Sequence, residues 1–132
     1  MGQREKARAI VAEKFEFTAT TRLSREQWVA VARRLGESSK TALNGSIVEP
    51  VVEDHSDGST TAVFRVMGPG RLVQMMKFVV TGNPDGDGAN QVSLIVGDFI
   101  FKKGSLGTKP TVNATKVMTK FVGLLKAELS AG

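Results

Sequence analysis

Residues 110–129 read PTVNATKVMTKFVGLLKAEL, and this closing stretch decides the fold class. Ala114, Val117, Met118, Phe121, Leu124, Leu125 and Leu129 recur at spacings of three and four. That spacing gathers them on one broad apolar stripe of a helix. Lys116, Thr119, Lys120, Gly123 and Lys126 fall on the other side, and Lys126 lies near the C-terminal turns, where a cation suits the helix dipole. Pro110 suits a helix opening because its ring presets φ and it has no amide to donate, so a helix is expected from there to Leu129. Thr111, Asn113 and Thr115 are its candidate N-caps. A stripe this apolar needs a partner, and the segments before it must supply one.

They read as strands with one capped helix among them. Phe15, Phe17 and Ala19 alternate with Glu16, Thr18 and Thr20, the period of a half-buried strand over 15–21. Residues 24–27, SREQ, form a capping box, with Leu23 and Trp28 placed as its hydrophobic staple. The helix continues through Val31, Ala32 and Leu35, Trp28 reads as a core anchor, and Gly36 is the expected left-handed stop. Glu37 to Asn44 reads as a short helical turn.

Four strands follow. Ile47 to Asp54 contains Pro50, which argues for a sheet edge, and His55-Ser56-Asp57-Gly58 is a turn. Ser59 to Met67 sets Ala62, Phe64 and Val66 on one face, with Thr61 and Arg65 on the other. After Gly68-Pro69-Gly70, residues 71–81 set Leu72, Met76, Phe78 and Val80 together, with Gln74 as a polar intruder on that face. Beyond the loop 83–88, Val92, Leu94 and Val96 share a face. The phase then slips at Gly97-Asp98 and resumes at Phe99 and Phe101. A one-residue slip at a glycine is the mark of a β-bulge, which bends its strand and curves the sheet.

The totals bound the rest. A chain of 132 residues fits a single domain, 1–132, able to bury roughly two-thirds of its unfolded surface. Its first residues, 1–12, read as a loose lead-in or a short helix. The absence of cysteine excludes disulfides, thiol catalysis and cysteine-ligated zinc. No apolar run reaches membrane-spanning length and no signal-peptide block opens the chain, so membrane insertion is not expected and a cytoplasmic protein is. The formal charge of +5 is spread from Arg4 to Lys126, enough for a weak attraction to anionic surfaces. One Trp, no Tyr and seven Phe at strand-like core positions lack the exposed aromatic interleaving of a nucleic-acid face.

No constellation identifies a reaction. Asn83, Asp85, Asp87 and Gly88 match early offsets of a calcium loop, but Leu94 stands where its bidentate Glu is required, and Pro84-Asp85-Gly86 is ordinary turn chemistry. His55, the only histidine, sits among Glu53, Asp54 and Asp57 in what reads as a surface turn. The glycine loops at 68–70 and 104–107 lack a phosphate loop's Lys-Ser/Thr. No catalytic residue, cofactor or metal is assigned. Gln74, Arg65 and Asp98 are the inward polar candidates.

The order strand, helix, four strands, helix makes an α+β fold with a mostly antiparallel sheet. It resembles the helix-grip architecture of the START-like, Bet v 1-like superfamily, which includes the polyketide cyclase-like (SRPBCC) proteins. The resemblance is carried by the strand Phe15 to Thr21, the capped helix Ser24 to Leu35 with Trp28 near its start, and the stripe Val117 to Leu129. The smaller core is similar also to the repeat of TATA-binding proteins. The resemblance implies a curved sheet gripping the C-terminal helix around an apolar cavity that takes a lipid, polyketide-like or similar ligand. On that expectation Phe64, Gln74, Met76, Phe78, Phe99, Met118 and Phe121 face the ligand, with Gln74 orienting it. A second reading is a protein-interaction or homodimerising domain with a filled core, supported by Pro50 at an edge and by Val73, Met75 and Val79 opposite the core face. A third is a cyclase- or dehydrase-type enzyme, for which one His and no Tyr or Cys leave few acid-base groups.

Overall fold

The computed structural model describes residues 2–39 and 45–132. In chain order these form α1 (Gln3–Phe15), β1 (Phe17–Thr21), α2 (Arg25–Ser38), β2 (Ser46–Ile47), β3 (Val51–Asp54) and β4 (Thr60–Met67). There follow β5 (Gln74–Pro84), β6 (Asn90–Phe99), β7 (Phe101–Lys102), β8 (Thr111–Val112) and α3 (Thr115–Ala131). The main sheet is antiparallel, in the order β1-β6-β5-β4-β2, and β3 also pairs with β4. Strands β2 and β3 are thus two pieces of one edge, broken at Pro50, although Val48 still donates its amide to the Arg65 carbonyl at 2.9 Å. The fold is α+β, a strongly curled antiparallel sheet packed against α3, compatible with a helix-grip layout.

Two register shifts accompany the curl. Met76 pairs with Phe99 while Phe78 pairs with Val96, so β6 carries an extra residue at Gly97-Asp98, where the sequence phase slips. The second shift falls at Gln74-Met75-Met76, where no glycine marks it in the sequence. Val66 pairs with Met76 and Met67 with Gln74, leaving Met75 as the extra residue of β5. Paired residues share a sheet face, and Met67 points opposite to the buried Val66. Gln74 therefore lies on the outer face, half-buried, and is not the core-face intruder that simple alternation predicts. Leu72 is likewise not on that face. It sits in the turn after a short 3-10 segment, Pro69–Arg71, and is 87% exposed. Arg65 and Asp98 are exposed rather than inward, the first by strand parity and the second by the bulge.

Three helix boundaries also correct the sequence reading. Residues 3–15 are helical, and Phe15 ends α1 rather than opening β1. Its buried stripe is Ala7, Val11 and Phe15, spaced by four and masked in the sequence by the charges between them. Directly after it, Glu16 Oε2 accepts from Arg8 Nη2 at 2.6 Å and from the Val96 amide at 2.9 Å, which pins the turn to β6.

Helix α2 opens with the expected box: Gln27 N donates to Ser24 Oγ at 3.2 Å and Ser24 N donates to Gln27 Oε1 at 2.8 Å. It runs through Gly36 to Ser38 instead of stopping at the glycine. A β-carbon on Gly36 would stand 3.3 Å from Ile47 and 3.4 Å from the Phe64 ring, so this glycine serves a close helix–sheet approach, not a cap. The rest of the turn expected over 37–44 lies mostly in residues 40–44, outside the described residues.

Helix α3 starts five residues later than Pro110, because Thr111–Val112 pair with β7 as β8. Thr111, Asn113 and Thr115 are not side-chain caps. The N-cap is Ala114 in the left-handed region (φ 67°), and Thr115 Oγ1 donates to the Val112 carbonyl at 2.8 Å. The stripe itself is as read: Val117, Met118, Phe121, Leu125 and Leu129 are buried, joined by Val122, while Leu124 lies at its margin.

Candidate functional site

The residues expected to line a cavity come together between the sheet and α3. Phe64 and Phe78 are cross-strand partners on β4 and β5, with ring centroids 4.9 Å apart and planes 4° from parallel. Phe121 from α3 packs across both, 5.5 Å from Phe64 and 5.2 Å from Phe78, in the tilted geometry that suits the ring quadrupoles. Phe64, Met76, Phe78, Met118 and Phe121 all have 0% exposure and belong to one core cluster. Phe99, at 6%, joins that cluster beside Phe101, and the Arg4 guanidinium lies 5.6 Å over its ring. Six of the seven sequence candidates thus meet in one cluster, and Gln74 does not. The interior at this place is occupied by the chain's own aromatic and thioether side chains.

The other face of the sheet shows an arrangement that strand-by-strand reading did not assemble. Val51 pairs with Val63, Val63 with Val79, and Val79 with Ile95, forming an aliphatic row across four strands. Parity places it opposite the buried set. Val51 is 61% and Ile95 50% exposed, while Val63 and Val79 are half-buried. All three helices contribute instead to the core cluster on the concave side. On one side of the row, Glu53, Thr61, Thr81, Ser93 and Thr18 form a second cross-strand row, in which Thr18 Oγ1 and Ser93 Oγ lie 3.0 Å apart. On the other side Arg65 and Lys77 stand directly opposite each other, both exposed. The outward positions Val51, Val63, Val79 and Ile95 are all β-branched. Only the pairing register reveals that they align.

The ionisable groups of the 54–61 turn are satisfied locally. Asp54 accepts a bidentate pair from Arg25, Nε to Oδ1 and Nη2 to Oδ2 at 2.9 Å each, and a third bond from Thr60 Oγ1 at 2.7 Å. The Arg25 bond, then that of Thr60, holds the Asp54 carboxyl below the usual carboxylate range, and the Asp54 bond raises Arg25 in turn. Asp57 accepts from the Ser59 hydroxyl at 2.6 Å and the Ser59 amide at 2.9 Å, which lowers it for the same reason. His55 Nε2 lies 2.9 Å from Thr61 Oγ1, and the His55 amide donates to the Ser59 carbonyl. This is the chemistry of a tight turn.

The 85–89 loop closes in the same way, with the Asp87 amide on Asp85 Oδ1 at 2.9 Å and positive φ at Gly86 and Gly88. Among the described residues no three His, Cys, Asp or Glu side chains are grouped to hold a metal, and no helix is long and apolar enough to cross a membrane. A comparison with protein-family models, with curated proteins and with solved structures found no match.

Proposed function

We propose that this chain is an interaction module of helix-grip type, with an interior filled by its own side chains, that pairs with a second copy through the outer face of its sheet. The observation that carries the reading is the in-register row Val51–Val63–Val79–Ile95, apolar and solvent-facing at both ends. The stacked Phe64 and Phe78, with Phe121 tilted across them, support a filled core over a ligand container. A contiguous exposed apolar strip rimmed by polar residues is the usual mark of a protein-binding surface.

Charge selects how two copies would meet. A two-fold axis along the strands, between β4 and β5, would bring Arg65 of each copy onto Lys77 of the other, and like charges oppose that. An axis along the aliphatic row sets Val51, Val63, Val79 and Ile95 against themselves, the self-complementary contact of a two-fold dimer. It also sets Arg65 and Lys77 against the hydroxyls of Thr61 and Thr81.

Native mass spectrometry and light scattering of the wild type and of Ile95→Glu test the reading. Ile95 is half-exposed, so the substitution leaves the core alone. A ligand-free dimer that Ile95→Glu converts to a monomer is the expected result. A monomer carrying a reproducible small-molecule adduct would overturn it in favour of an apolar-ligand container, and a bare wild-type monomer would overturn it outright.

A further inference from the structure

A second surface, on the opposite side of the chain from the sheet's outer face, carries charge without partners. One face of α1 presents Lys6, Ile10, Glu13 and Lys14, spaced by four, three and one residues. With the segment 107–112 and the first turn of α3 it walls two adjoining grooves of about 600 and 370 Å³. Ile10, Glu13 and Lys109 line both, so the two run together as one trough. Lys14, Lys109 and Lys116 line the larger part and Lys6 the smaller, four ammonium groups against the single carboxylate of Glu13.

The ion pairs of the described residues involve arginines and lie outside this trough. Arg8, Arg25, Arg33 and Arg34 each hold a carboxylate, on Glu16, Asp54, Glu49 and Glu128. Among the described residues none of the four trough lysines has an ion pair. Lys116 stands in the first turn of α3, which has neither an acidic residue nor a side-chain cap. A cation there opposes the positive end of the helix dipole, an arrangement that an incoming anion would relieve.

We infer that this trough binds an extended acidic peptide segment of a partner protein. Two grooves that share a wall suit a chain rather than a compact molecule. Ile10, Pro110 and Val112 give it apolar lining for side chains between the carboxylates. The lining contains no aromatic ring on which bases could stack and no arginine fork for phosphate, which disfavours nucleic acid. A concave trough also presents its lysines poorly to a flat bilayer.

The test is fluorescence anisotropy with a labelled peptide of alternating Glu and Leu, titrated with the full chain at low and at physiological salt. Saturable binding that weakens with salt is expected, and Lys109→Glu or the double variant Lys14→Glu/Lys116→Glu should reduce affinity by about tenfold or more. Lys120→Glu, on the exposed side of α3 outside the trough, should leave it within about twofold. An absence of saturable binding, or an equal loss in Lys120→Glu, overturns the assignment. Tighter, trough-dependent binding of an oligothymidylate or of phosphatidylserine vesicles overturns it in favour of those partners.

Discussion

The indole of Trp28 occupies the space that a side chain on Gly82 would need. A β-carbon at Gly82 would lie 2.4 Å from Cζ2, 2.5 Å from Cε2 and 2.6 Å from Nε1 of the ring. Trp28 is fully buried, and its Nε1 has no hydrogen-bond partner among the described residues. The ring is therefore held by shape and by burial. This contact docks the first turn of α2, just after its capping box, onto the far end of β5.

Gly82→Ala forces ring and strand apart, and should destabilise the protein by about 1–3 kcal/mol or more, as overpacking does. Gly123→Ala is the matched control: nothing lies within 4 Å of its added carbon, on an exposed helix face. It should be neutral or stabilising by up to about 1 kcal/mol, since alanine is the better helix former. Urea unfolding midpoints of the three proteins decide the matter, and equal midpoints for the two variants would contradict the packing described.

Phe121 joins α3 to the Phe64–Phe78 stack. Its truncation in Phe121→Ala should cost about 3–5 kcal/mol, the transfer and cavity terms of a buried aromatic. Thermal or urea denaturation measures it. A loss below about 1 kcal/mol would mean that the space around Phe121 is loosely filled, as a ligand cavity would be.

Asp54 and Asp57 have lowered carboxyl pKa values in the folded chain, so they stabilise it while ionised. That contribution is complete above the unfolded carboxylate value of about 4 and disappears as pH falls through the lowered folded values. Both groups are exposed, and the effect is correspondingly small and salt-sensitive. In Asp54→Asn/Asp57→Asn the stability deficit should be visible near pH 6 and should shrink as pH falls below about 4. A deficit that stayed constant across that range would assign it to lost hydrogen-bond geometry instead of charge.

Much of the framework is legible in the sequence. The SREQ box at 24–27, the burial of Trp28, the bulge at Gly97-Asp98 and the stripe of α3 rest on local spacing and capping chemistry, which short stretches of chain carry by themselves. The same local reading erred where two structures compete for one stretch. Phe15 fits the strand alternation of residues 15–21 as well as the helical 7, 11, 15 spacing, and burial against β6 decides for the helix. Pro110 can open a helix, yet Thr111–Val112 pair with Phe101–Lys102 first. Gly36 looks like a stop, and instead lets a continuing helix touch Ile47 and Phe64.

What the sequence alone determined was therefore the α+β class, the central run from β1 through α2 to β6 and most inward-facing residues, because periodicity and capping are local. The alignment of Val51, Val63, Val79 and Ile95, the outward turn of Gln74 and the meeting of Lys6, Lys14, Lys109 and Lys116 were decided only by tertiary structure. Each depends on the register between strands or on how α1 seats against residues 107–116, and no single segment encodes either.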